Sequence, residues 1–129
     1  MADAVVNIIG AGLAGCEAAY QVSKRGIKVR LFYFFPVRFS PAHSMNGLAE
    51  LVCSNSFKAK NIDNASGLLK EEMRVCDSLI LRAADASAVP AGGALAVDRN
   101  VFSDFITKAI ESDENIEVVR TEVKCISDL

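Results

Sequence analysis

The chain has 129 residues, with 14 Lys and Arg against 16 Asp and Glu, for a formal net charge of -2. With 51% hydrophobic and 23% charged residues, it holds too much core-forming material for a disordered tail. The near-neutral balance excludes a globally basic nucleic-acid binder, though not a local basic patch. One His and no C-x-x-C spacing leave no metal cluster to argue for. Cys16, Cys53, Cys76 and Cys125 are far apart, so a disulfide framework is not expected, and they read as reduced thiols of a cytoplasmic protein. Glycines interrupt the first apolar stretch and no basic segment precedes it, so it reads as neither a signal peptide nor a membrane span.

In chain order, Val5 to Ile9 is a short, mostly β-branched run that predicts a buried strand. Gly10-Ala11-Gly12-Leu13-Ala14-Gly15 follows at once, then a helix-forming stretch from Cys16 to Lys24, with Gly26 as its stop. Residues 28–35 return to strand character. Strand, glycine turn, helix and strand within about 30 residues make one βαβ unit, whose crossover sets the two strands parallel, so the fold class is α/β.

Residues 36–60, with Pro36, Pro41 and Gly47, read as loop. A helix is predicted to start after Asp63-Asn64, which can cap it, and to run to about Ala84. Leu69, Met73, Cys76, Ile80 and Ala83 recur at helical spacing and are expected to share its apolar face. Residues 89–93 are a turn and 94–97 a short apolar run. A helix over 101–112 presents Phe102, Phe105, Ile106 and Ile110 on one side, and strand character returns at 116–119 and 123–126. The organisation expected is a single, incomplete FAD- or dinucleotide-binding domain. It has a βαβ unit over 5–35, a loop and mostly helical insertion over 36–100, and a helix and strand return over 101–129.

Gly10, Gly12 and Gly15 fit G-x-G-x-x-G in the context that gives the motif meaning, after a strand and opening a helix. The first glycine makes the tight turn, the second lets backbone approach a pyrophosphate, and the third lets helix pack on strand. The helix N-terminus then offers N–H groups and positive dipole to the phosphates. Gly10, Ala11, Gly12, Leu13, Ala14 and Gly15 are therefore the candidate cofactor-binding loop. Such sites carry an Asp or Glu at the end of the second strand to accept from the ribose hydroxyls. Here Tyr33 occupies that place, and no acidic residue falls between Glu17 and Glu50. Weak flavin retention is expected, and Tyr33→Glu is expected to tighten it. Lys24, Arg25, Lys28 and Arg30 read as a solvated face or, alternatively, as partners for a 2′-phosphate. Four aromatic residues at 32–35 are expected to leave an apolar patch.

Three further segments join the glycine loop and Glu17-Ala18-Ala19 to give a family resemblance. They are Glu50-Leu51-Val52-Cys53-Ser54-Asn55-Ser56, Gly67-Leu68-Leu69-Lys70-Glu71-Glu72-Met73-Arg74, and Val89 to Arg99 through Pro90-Ala91-Gly92-Gly93. In this order they resemble the folate- and FAD-dependent tRNA (uracil-5-)-methyltransferases, TrmFO, relatives of the larger GidA-type tRNA-modifying flavoproteins. The glycine motif is common to many flavoproteins; the other three segments together are specific, and the resemblance runs from Val5 to the C-terminus.

The resemblance implies methylation of a T-loop uridine in tRNA, with carbon from 5,10-methylenetetrahydrofolate and reducing power from NAD(P)H through FAD. It implies that Cys53 is the catalytic thiolate that makes C5 of the pyrimidine nucleophilic, because a neutral thiol is a poor nucleophile. It also makes Arg99 a candidate for cofactor contact or domain structure. Val123 is a candidate for backbone contact with adenine, from within a strand. His43 reads as an unremarkable loop residue, and Cys16, Cys76 and Cys125 as packing residues. The family carries Glu where Tyr33 stands and Arg where Phe35 stands. It continues well past Leu129, so the sheet is expected to be incomplete and the chain inactive without a remainder, which could be separately encoded. Two other readings stand beside this one. One is a non-catalytic FAD-binding module; the other is the start of an NAD(P)-dependent oxidoreductase, which leaves the Cys53 segment unexplained.

Overall fold

Three parallel strands form the main sheet of the computed structural model, which describes residues 4–34 and 45–129. Strand β1 (Val5–Ile9) leads through helix α1 (Leu13–Ser23) to strand β2 (Lys28–Phe32), paired from Val5 with Lys28 to Ile9 with Phe32. Helix α1 closes near Gly26, whose positive φ of 75° and N–H bond to the Ser23 carbonyl turn the chain toward β2. The βαβ expectation is met, with β2 ending at Phe32. Phe35, Pro36, Pro41 and His43 lie outside the described residues.

The insertion departs from its expected form. Strand β3 (Ser56–Ala59) lies within the expected loop. Helix α2 (Ala65–Val75) is capped by the Asn64 side chain, which accepts from the Ser66 N–H as predicted. It does not run on to Ala84. The chain breaks at Cys76–Ser78, and helix α3 (Leu79–Ala86) starts afresh with Ser78 as its cap. Asp77 takes a positive φ of 56°, and the Ser78 N–H closes on the Met73 carbonyl at 3.0 Å. This left-handed stop is typical of helix ends. The single apolar face is consequently split. Ile80 and Ala83 are buried in α3, whereas Leu69 and Cys76 are exposed.

Strands β4 (Ala88–Val89) and β5 (Ala94–Val97) form a hairpin across the predicted turn, and β5 also pairs with β3. The insertion therefore carries a small antiparallel sheet, order β3-β5-β4, beside its helices. Helix α4 (Arg99–Glu111) begins under the Asp98 carboxylate, which accepts from the Asn100 and Val101 N–H groups. Strand β6 (Ile116–Val119) then returns to the main sheet and pairs in parallel with β2, giving the order β1-β2-β6. This is one half of a doubly wound sheet.

Register decides the core. Val6 and Ile8 lie beside Val29 and Leu31, which lie beside Ile116 and Val118. This face packs with Cys16 and Ala19 of α1 and with Phe102, Ile106 and Ile110 of α4, all buried. Small residues on α1 let the helix approach the sheet, and each large side chain contributes about 1.5–3 kcal/mol by leaving water. On the opposite face Arg30 stacks over the Phe32 ring, lies 3.7 Å from Glu117, and donates to the Leu129 carbonyl.

Three smaller expectations are corrected. Residues 123–126 form no strand; Asp128 accepts from the N–H groups of Lys124 and Cys125, and the chain folds into a 3-10 turn, Ile126–Asp128. Cys76 and Cys125 are exposed rather than packed. The aromatic run is not an exposed patch over its described part, since Phe32 and Tyr33 are buried and Phe34 is half-buried.

Candidate functional site

At the end of β1 the chain must leave the sheet and enter a helix within three residues. Gly10 does this with a φ of 99°, which disfavours any side chain, and donates its N–H to the Phe32 carbonyl at 2.8 Å. Gly15 sits where α1 crosses the strand end, and a Cβ there would be driven into the Gly10 backbone carbonyl. Gly12 is different. It is the N-cap of α1, in extended backbone that any residue adopts, and a Cβ on it would meet nothing within 4 Å. No side chain caps the helix at this point and no acidic residue lies in its first turn. Open space at an uncapped helix start is the setting a diphosphate requires. The loop residues therefore fit the diphosphate of a nucleotide cofactor.

Ala11 is buried and its carbonyl joins the loop to the rest of the site. It accepts the Ala49 N–H at 2.8 Å and the Cys16 thiol at 3.4 Å. Burial pushes the Cys16 thiol up to about 12, so it stays neutral and unreactive at ordinary pH. Ala49 itself has a positive φ of 52°, and from this pinned turn the chain runs directly to Cys53.

Cys53 is exposed and unpaired by any disulfide. A cavity of about 330 Å³ is lined by Cys53, Glu50, Leu51 and Phe57 together with Leu13 from the first turn of α1. The predicted nucleophile thus shares a cavity with one residue of the predicted loop, Leu13, although 40 residues separate the two in sequence. Arg99 stands on the other side of the Cys53 segment. Its guanidinium donates to the Cys53 carbonyl at 3.2 Å, while Asn55 and Val97 exchange bonds through the Val97 N–H, the Asn55 carbonyl and the Asn55 side chain. The start of α4 therefore clamps residues 53–55.

Tyr33 follows β2 but turns its ring into the core. Its hydroxyl donates to the Gly47 carbonyl at 3.2 Å, and the Arg120 guanidinium lies 5.8 Å from the ring centroid. Burial, and then the Glu50 charge, push its phenol upward. Val123 lies past the end of β6, half-buried and outside any strand. Ala14 is exposed on the first turn of α1.

One tie between α1 and the insertion has no signal in the local sequence. Glu17, on α1, accepts from the Ser78 hydroxyl at 2.7 Å and from the Ile80 N–H at 3.0 Å. A carboxylate at the positive end of α3 is stabilising, and this one ties the glycine-loop helix to the insertion. Its partners lie about 60 positions away in sequence, beyond the reach of spacing rules.

Among the described residues no group of His, Cys, Asp and Glu could hold a metal ion, and no helix is long and apolar enough to cross a membrane.

The family model described as Glucose inhibited division protein A matches residues 5–128. The methylenetetrahydrofolate--tRNA-(uracil-5-)-methyltransferase TrmFO of Acetivibrio thermocellus is 61% identical over 119 residues, which are 92% of this chain and 27% of that protein. The TrmFO of Staphylococcus carnosus is 56% identical over 128 residues, 99% of this chain and 29% of its own length. The chain thus spans less than a third of these curated relatives. Among solved structures, Aquifex aeolicus GidA in its form II crystal superposes with a TM-score of 0.68 at 20% identity, over 90% of this chain and 19% of that one, which speaks for the fold. Sequence motifs, fold and family model agree, and the chain belongs to the Glucose inhibited division protein A family.

Proposed function

We propose that the chain provides the nucleotide-binding start of a cytoplasmic, folate- and FAD-dependent tRNA (uracil-5-)-methyltransferase, and that it does not turn over by itself. The observation that carries this reading is the shared cavity of Leu13 and Cys53 beside the glycine loop. A reading as a nicotinamide-dependent oxidoreductase gives that thiol no task.

Gly10 to Gly15 hold the diphosphate through backbone N–H groups and the start of α1. Bound there, the flavin supplies reducing equivalents, ultimately from NAD(P)H, and a carrier atom for the folate-derived carbon. Cys53 Sγ, as thiolate, adds to the pyrimidine carbon next to C5. The electron pair of the ring double bond moves to C5, which attacks the one-carbon unit. Loss of the C5 proton frees the carbon from its carrier, two electrons and a proton that the reduced flavin would supply bring it to the methyl level, and the ring double bond re-forms as the Cys53 thiolate leaves. Arg99 fixes the backbone of Cys53 while this happens, and Leu51 and Phe57 form apolar walls of the cavity that holds the thiol.

The test is a graft. The chain alone, with FAD, NADPH, 5,10-methylenetetrahydrofolate and unmodified tRNA, is expected to give no 5-methyluridine. Residues 5–128 exchanged into the Acetivibrio relative are expected to restore product, and the same graft with Cys53→Ala is expected to lose it. An inactive graft that folds and binds flavin, or an active Cys53→Ala graft, contradicts the proposal.

A further inference from the structure

A second cavity, of about 460 Å³, adjoins the first, and Leu13 and Phe57 line both. Its other apolar walls come from Leu69 and Met73 of α2 and Ile80 and Leu81 of α3. The volume lies in the range of small-molecule sites. Two lysines, Lys58 of β3 and Lys70 of α2, converge on it.

Lys70 is 6% exposed. Its ammonium donates to the Ser66 carbonyl at 2.6 Å and, among the described residues, forms no ion pair. An ammonium has three donors, and covering one without a counter-charge is unfavourable. Burial, then repulsion from Arg74 and Lys58, holds the Lys70 ammonium below the ordinary lysine range. Among the described residues Glu17 is the one carboxylate on the cavity wall, and its oxygens already serve Ser78, Ile80 and Gln21. The cavity is therefore apolar in its walls and positive at one side, with its own carboxylate turned to α3. The complement to such a space is an anion carried on a flat apolar body.

We propose that this cavity, which borders the diphosphate cradle through Leu13 and Ala14, is a second ligand site that binds an aromatic carboxylate or aromatic phosphate ester through Lys58 and Lys70. The anion supplies the charge that neither lysine finds among the described residues, and the ring lies against Leu13, Phe57 and Ile80. This assignment does not depend on the methyltransferase reading.

The experiment is calorimetric titration of the 129-residue chain with 2-naphthoate, 2-naphthyl phosphate and neutral 2-naphthamide. Both anions are expected to bind at least about tenfold more tightly than the amide, a difference of about 1.4 kcal/mol. Lys58→Gln and Lys70→Met are each expected to remove most of that preference. Gly12→Val, which fills the cradle, is expected to leave naphthoate binding unchanged. If only the phosphate ester keeps the preference, its source is a phosphate ligand; if both keep it, a carboxylate also serves. Equal affinity for naphthoate, the phosphate ester and naphthamide overturns the proposal, as does loss of anion binding in Gly12→Val. Lys58 is exposed, so its variant retains the fold and decides the matter even where Lys70→Met does not fold. Unchanged anion preference in Lys58→Gln likewise overturns it.

Discussion

The βαβ unit over residues 5–32 and the insertion packed across it were built by different rules. In the first, each residue's task is set by near neighbours. Gly10 turns the chain, Gly15 admits α1 to the strand end, and alternate residues of β1 and β2 fill one face of the sheet. In the second, position is set by contacts from far away. Ala49 hangs on the Ala11 carbonyl, Cys53 on Arg99, and the start of α3 on Glu17. The locally coded region makes the proposed cradle, and the remotely held region sets Cys53 in one cavity with Leu13 of that loop.

That contrast predicts where substitutions hurt. The largest effect is expected at Gly15. In Gly15→Ala the new methyl meets backbone, which cannot move aside as a flexible side chain can, and about 3 kcal/mol of stability should be lost. The urea midpoint should fall with an unchanged slope. A loss below about 1 kcal/mol would show that α1 can shift and that the close crossing is not a constraint.

Glu17→Gln comes next. It keeps the size of the side chain but removes the charge at the positive end of α3, and is expected to cost about 1–2 kcal/mol. Hydrogen exchange should report the loss in α3 more than in β1 or β2. Uniform loss across the main sheet would mean that the two regions are not held together at this point.

The smallest effect is a pH dependence at the joint between α2 and α3. Asp77 is paired with Lys24, and Arg82 lies 3.9 Å away. Chiefly through the Lys24 hydrogen bond, its carboxyl is held below the usual range. Its folded value lies below its unfolded one, so its contribution is present above the ordinary carboxylate range and is lost as pH falls through the lowered value. The stability gap between the chain and Asp77→Asn should close on acidification. Asn tolerates the same left-handed backbone, so a gap that persists at low pH would assign the effect to something other than charge.

The same division explains what could be read from the sequence. The glycine loop, the Asn64 cap and the apolar side of α4 follow short-range patterns, and each is found where those patterns put it. The break at Asp77 was invisible because the helical period of apolar residues continues straight through it. What interrupts that period is the Ser78 hydroxyl, together with a carboxylate on another helix. Strand β3 is short and takes its order from pairing with β5, so its own residues carry little signal. Residues 123–126 show the converse: their strand character predicted a strand, but among the described residues no neighbouring strand pairs with them, and Asp128 draws the backbone into a turn. For the site, the residue types were legible and their meeting was not. Nothing near Cys53 in sequence indicates that Leu13 lines the same cavity.

The most direct measurement is FAD titration of the chain beside its Gly12→Val variant, with thermal unfolding of both. Gly12 has ordinary extended backbone and open space around it, so valine should leave the melting temperature nearly unchanged while its side chain enters the cradle. The expected result is FAD binding by the chain and a loss of at least about tenfold in the variant. Equal affinity in the two proteins, with both folded, would place the nucleotide elsewhere and contradict the assignment of Gly10 to Gly15.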